Sequence, residues 1–106
     1  MANEEIYKDE FIINLTIDKT EYEEIEVKVT KPELPISEQI ERIINVFGLL
    51  KTDGVGNALH YMFFKRINND EYERLEEDDE NGRKLSLLDN NIQSGDTLVL
   101  VVAPYL

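Results

Sequence analysis

Two short segments near the start of the chain alternate apolar and polar residues with a period of two. Over residues 11–18, Phe11, Ile13, Leu15 and Ile17 share one parity, and Ile12, Asn14, Thr16 and Asp18 share the other. Over residues 24–30, Ile25, Val27 and Val29 alternate with Glu24, Glu26, Lys28 and Thr30. Successive side chains of a strand point to opposite faces, so each segment predicts a strand with one buried face. The joint Lys19-Thr20-Glu21-Tyr22 is short enough to make the pair an antiparallel hairpin. An apolar face on such a ribbon must be covered, and this requirement constrains everything that follows.

The next segment supplies the cover. Pro32 and Pro35 break the sheet pattern, and Ser37 is the expected helix cap. Ile40, Ile43, Ile44, Phe47 and Leu50 then recur at helical spacing, while Glu38, Glu41, Arg42 and Asn45 fall on the other face. The helix is expected to end near Leu50, before the turn-rich run Asp53-Gly54-Val55-Gly56-Asn57. Leu59–Ile67 predicts a third strand, Asn68-Asn69-Asp70 a turn, and Tyr72–Leu75 a short strand. Glu76–Gly82 is an acidic loop, and Leu85, Leu87 and Leu88 are expected to form a short turn that packs inward. Asn90–Asp96 is a polar loop, and Thr97–Val102 is the last strand, stopped by Pro104. The last strand carries the strongest β signal, and a central place in the sheet would shield it from edge pairing. Lying beside the first strand, it would complete an α+β architecture: a β-grasp, with a mixed sheet of four to five strands and one helix packed across it. Residues 1–10 read as an N-terminal arm, 11–102 as one domain and 103–106 as a tail, with no internal repeat.

Composition removes whole classes of function. The chain has 106 residues, 42% of them hydrophobic and 32% charged, which suits a single folded domain. Its net charge of −12 would repel nucleic-acid phosphates and anionic lipid. It has no Cys and one His, so no disulfide framework, thiol nucleophile, Cys-ligated zinc or His-rich metal site is expected. The first ten residues lack a basic leader followed by an apolar run, and the longest apolar run, Leu98 to Ala103, falls far short of the roughly 20 residues of a membrane helix. A cytoplasmic location is therefore expected. Without a secretory route, Asn14-Leu15-Thr16 is read as a chance match to the glycosylation pattern.

The C-terminal third resembles ubiquitin-like proteins. Glu80-Asn81-Gly82-Arg83-Lys84-Leu85-Ser86 parallels the EDGRTLS of ubiquitin, Asn91-Ile92-Gln93 its NIQ, and Thr97-Leu98-Val99-Leu100-Val101 its TLHLV. The hairpin, with Leu15-Thr16-Ile17-Asp18, then Tyr22, then alternating apolar residues, is similar to the YukD/EsaB-type proteins. So is Leu87, or Leu85-Ser86, followed by Ile92-Gln93-Ser94-Gly95-Asp96-Thr97-Leu98. Those are small ubiquitin-like components of bacterial WXG100 (type VII) secretion systems. The resemblance spans roughly residues 11–102 and implies the β-grasp fold. It also implies binding to larger components, among them a membrane component that could recruit the chain to the membrane. Conjugated ubiquitin-like modifiers and sulfur carriers work through a C-terminal Gly-Gly, which threads an enzyme channel without side-chain clash. This chain ends Val101-Val102-Ala103-Pro104-Tyr105-Leu106 with no Gly after Gly95, so neither modifier nor carrier function is expected.

Strand parity then selects candidate binding residues. If Leu98, Leu100 and Val102 face the helix, Val99 and Val101 face the opposite way. By the resemblance, Val101 occupies the place of a valine in the ubiquitin recognition patch. The third strand adds Met62 and Phe64, or Tyr61 and Phe63, depending on which parity lies outward. An apolar patch on an open sheet face marks a protein partner or a second copy of the chain. Glu76, Glu77, Asp78 and Asp79 form a second candidate, a docking loop for a basic partner, to be weighed against a plain solvated loop. Calcium is disfavoured there, since an EF-hand loop aligned on Gly82 needs an acid where Leu88 stands. His60 has no Ser or Cys partner signature beside it, and Gly54-Val55-Gly56 lacks the third glycine of a dinucleotide loop. The abundant carboxylates carry no glycosidase signal of their own. The expectation is a protein-binding module rather than an enzyme, without cofactor, metal or small-molecule substrate.

Overall fold

The computed structural model describes residues 10–18 and 23–104. The elements run β1 (Phe11–Ile17), β2 (Ile25–Val29), α1 (Ile36–Phe47), β3 (Leu59–Arg66), β4 (Tyr72–Arg74) and β5 (Thr97–Pro104). They form one five-stranded sheet in the order β2-β1-β5-β3-β4. The β1/β5 pair is parallel and every other pair antiparallel. The fold is therefore the expected α+β arrangement, a mixed sheet with one helix among the described residues and the last strand at its centre. The hairpin joint at 19–22, most of the N-terminal arm, Tyr105 and Leu106 lie outside the described residues.

The core follows from strand parity. Ile13, Leu15 and Ile17 of β1, Leu98 and Leu100 of β5 and Phe63 of β3 are buried with Ile36, Ile40, Ile43 and Ile44 of α1. Leu75, Leu87 and Ile92 complete the cluster from the segments that connect β4 to β5. Those segments are fastened to the helix, because the Ile36 N–H donates to the Leu85 carbonyl at 2.8 Å and Pro35 bridges Ser86. The buried Gln39 donates to the Lys31 carbonyl at 2.6 Å, which removes the cost of burying an unpaired amide.

Four local expectations need correction. The helix begins two residues earlier than a Ser37 cap implies. Pro35, at φ −54° and ψ 150°, stands at the cap position with no side-chain cap bond, since its ring already fixes the φ that enters a helix. The helix also ends at Phe47 rather than near Leu50. Gly48 takes φ 63°, and the Leu49 N–H closes back on the Ile44 carbonyl at 2.9 Å. A left-handed glycine with this closure terminates a helix, so Leu50 falls beyond it and is 71% exposed. Leu88 points outward at 48% exposure, while Leu85 and Leu87 are buried as expected. Pro104, expected to stop β5, is its last residue and is paired in register with Leu59. Among the described residues no helix is long and apolar enough to cross a membrane.

Several aspartates shape the connecting loops. Asp89 accepts from the Ser86 N–H at 2.9 Å and its hydroxyl at 3.1 Å, and its own N–H donates back to that hydroxyl. Asp79 accepts from the N–H groups of Arg83 and Asn81, and Asp53 from those of Val55 and Asn57. Backbone donors, foremost Ser86, Arg83 and Val55 respectively, hold all three carboxyls below the ordinary aspartate value of 3.8. A depressed folded-state pKa stabilises the fold above the unfolded value, and that contribution disappears as pH falls through the folded values. Acidification below pH 3.8 is thus expected to lower the Tm. Asp89→Ala should lower Tm at neutral pH, and its deficit against the parent chain should close at acid pH; calorimetry across pH checks both. Leu100, wholly buried at the sheet centre, should cost about 2–5 kcal/mol when replaced by Ala, measured by urea unfolding.

Candidate protein-binding face

β5 is flanked by strands on both sides, so its two faces are set by the pleat alone. Leu98 and Leu100 are fully buried toward α1, which places Val99 and Val101 on the opposite face. On β3 the buried residue is Phe63, so Met62 and Phe64 share the outer face and Tyr61 lies with the core. Of the two parities the sequence leaves open, this selects the Met62/Phe64 set.

Register brings these four residues together. Met62 stands directly opposite Val101, and Phe64 opposite Val99. The row through Val99 extends to Thr16 on β1 and, through Phe64, to Arg74 on β4. Directly opposed residues on one sheet face have Cβ atoms about 5 Å apart, so Val99, Val101, Met62 and Phe64 form one continuous apolar quartet. Each is half-buried, shielded by its neighbours rather than by the helix. Tyr72, opposite Arg66 on the edge strand, continues this face and is 51% exposed.

The acidic loop adjoins this face. His60 has the same outward parity as Met62, and with Arg74, Leu75, Glu76, Glu77 and Asp78 it lines a shallow cleft of about 590 Å³. Three of the four named loop carboxylates already have internal partners. Glu77 approaches Arg74 at 3.9 Å, Asp78 pairs with Lys84 at 3.0 Å, and Asp79 closes its own turn and meets Arg83 Nε at 3.4 Å. Glu76 is anchored through its backbone, exchanging hydrogen bonds with the Asn90 side chain at 2.8 and 2.9 Å. Its own carboxylate has no ion pair among the described residues. The loop is therefore less bare in charge than its composition suggests.

Arg74, Thr16 and His60 border the quartet, and none was among the expected site residues. The alternation around Glu73 hints at the outward place of Tyr72 and Arg74. Their position beside Phe64, however, depends on a β3/β4 register that no local pattern carries. No protein-family model matches the chain, and no curated protein matches it.

Proposed function

We propose that this chain is a noncovalent protein-binding adaptor of ubiquitin-like type, and that its setting is a bacterial type VII secretion system. It would act there as a cytoplasmic accessory protein recruited by a membrane component. The observation that carries the binding reading is the quartet of Val99, Val101, Met62 and Phe64 on the face turned away from the helix. Burying such a patch against a partner is favourable at about 25 cal/mol per Å² of apolar area. A fold gains nothing from leaving it half-wet.

The β-grasp arrangement and the segment Ile92-Gln93-Ser94-Gly95-Asp96-Thr97-Leu98 support the secretion setting. Glu76, the loop carboxylate left without an ion pair among the described residues, is the natural centre of a second contact with a basic group of the partner. Such a contact steers approach more than it adds affinity, and it weakens with salt. The reading requires neither covalent attachment nor catalysis.

The test is a titration of the isotopically labelled chain with the cytoplasmic domains of type VII membrane components. Amide shifts should cluster at Val99, Val101, Met62 and Phe64, and Val101→Glu should weaken binding tenfold or more while leaving the circular dichroism unchanged. Absence of binding to any of these domains would remove the secretion setting. Binding that ignores Val101→Glu would remove the face.

A further inference from the structure

Among the described residues, β2 (Ile25–Val29) is an edge of the sheet, paired by β1 on one side only. A bare edge presents a row of backbone donors and acceptors to any strand that fits, and proteins usually blunt it with Pro, a bulge or a covering element. β2 contains no Pro, and its register with β1 runs unbroken from Ile25 to Val29. The helix does not close over it either. Between β2 and α1 lies a groove of about 610 Å³ lined by Val27, Val29, Ile43 and Phe47, with Val46 at 77% exposure on its wall. Ile25, Val27 and Val29 are accordingly only half-buried.

We propose that β2 pairs antiparallel with β2 of a second copy of this chain, about a two-fold axis through Val27. The strand reads Ile-Glu-Val-Lys-Val, and it is complementary to its own reverse. About that axis Val27 meets the partner's Val27, and Ile25 meets the partner's Val29, all on the core face beside the groove. On the outer face Glu26 meets the partner's Lys28, and Lys28 meets the partner's Glu26. Opposite charges directly across a strand pair stabilise it, and like charges oppose it. A foreign strand has no reason to carry this pattern, whereas a second copy carries it by necessity.

The side chains are free to do this. Glu26 and Lys28 are exposed, and Glu26 has no ion pair among the described residues. Lys28 holds Glu10 at 3.1 Å, but an ammonium has three donors and can serve both carboxylates. A two-fold contact of this kind is closed, so it yields a dimer with a continuous ten-stranded sheet rather than a fibre.

Sedimentation of the full chain over a wide concentration range tests this, at an ionic strength that screens the −12 on each copy. The parent chain should dimerise reversibly. Glu26→Lys places an ammonium opposite each Lys28, and Lys28→Glu places a carboxylate opposite each Glu26. Each single variant should dimerise about tenfold more weakly or worse while keeping its circular dichroism. An equimolar mixture of the two single variants should recover heterodimer, and the double variant should recover homodimer, because every ammonium again faces a carboxylate. Val101→Glu should leave the dimer intact, which separates this edge from the adaptor face. A parent chain that stays monomeric throughout would overturn the proposal. A dimer indifferent to both reversals, or one broken by Val101→Glu, would overturn it equally.

Discussion

The fold depends on β5 being held on both edges at once. It runs parallel to β1 through Asn14↔Thr97 to Ile17↔Leu100, and antiparallel to β3 from Leu59↔Pro104 to Lys65↔Leu98. A slip of one residue on either side would carry Leu98 and Leu100 to the outer face and bury Val99 and Val101 instead. The loop before β5 resists such a slip. The Gly95 N–H donates to the Ile12 carbonyl at 2.6 Å, Ser94 Oγ accepts from the Ile12 N–H at 2.9 Å, and the Asn14 N–H donates to the Asp96 carbonyl at 2.9 Å. Gly95 turns the chain at φ 97°, where a side chain would be strained. Register, and with it the composition of both sheet faces, is therefore pinned at the start of the strand as well as by the core.

The same constraint explains how an acidic chain presents an apolar face. The outer face of β5 carries Thr97, Val99 and Val101, and β3 adds Met62 and Phe64. A cluster of acids lies instead in the connection from β4 to β5. There Asp79 and Asp89 spend their lone pairs on backbone N–H groups, and Asp78 and Glu77 on Lys84 and Arg74. These four carboxylates thus serve to fold loops that have no ladder of their own.

What the sequence discloses and what it withholds divide along a physical line. Elements whose signal is local were legible: the period-two runs of β1 and β2, the helical spacing of Ile40, Ile43 and Ile44, and the dense β-branched content of β5. The boundaries of α1 were less so, because Ser37 and Pro35 both suit a helix start and backbone geometry at Pro35 decided between them. The parity of β3 could not be read at all. Tyr61 and Phe63 are as apolar as Met62 and Phe64, and only packing of Phe63 beneath the helix separates them. The neighbours Thr16 and Arg74 were hidden for a related reason, since they join the quartet through pairings of residues distant in sequence.

Geometry links the two proposed surfaces without any contact between them. The two-fold axis of an antiparallel edge pair stands perpendicular to the sheet, so both copies turn their outer faces to the same side. Two quartets would then lie on one continuous sheet, at a spacing fixed by the strands between them. A partner displaying one binding element gains nothing from this. A partner displaying two at matching distance binds the second at high effective concentration, and its overall affinity rises with no new contact. Self-pairing at β2 would therefore make the adaptor face selective for assembled, repeated partners over isolated ones, although no residue of that face differs between the two cases.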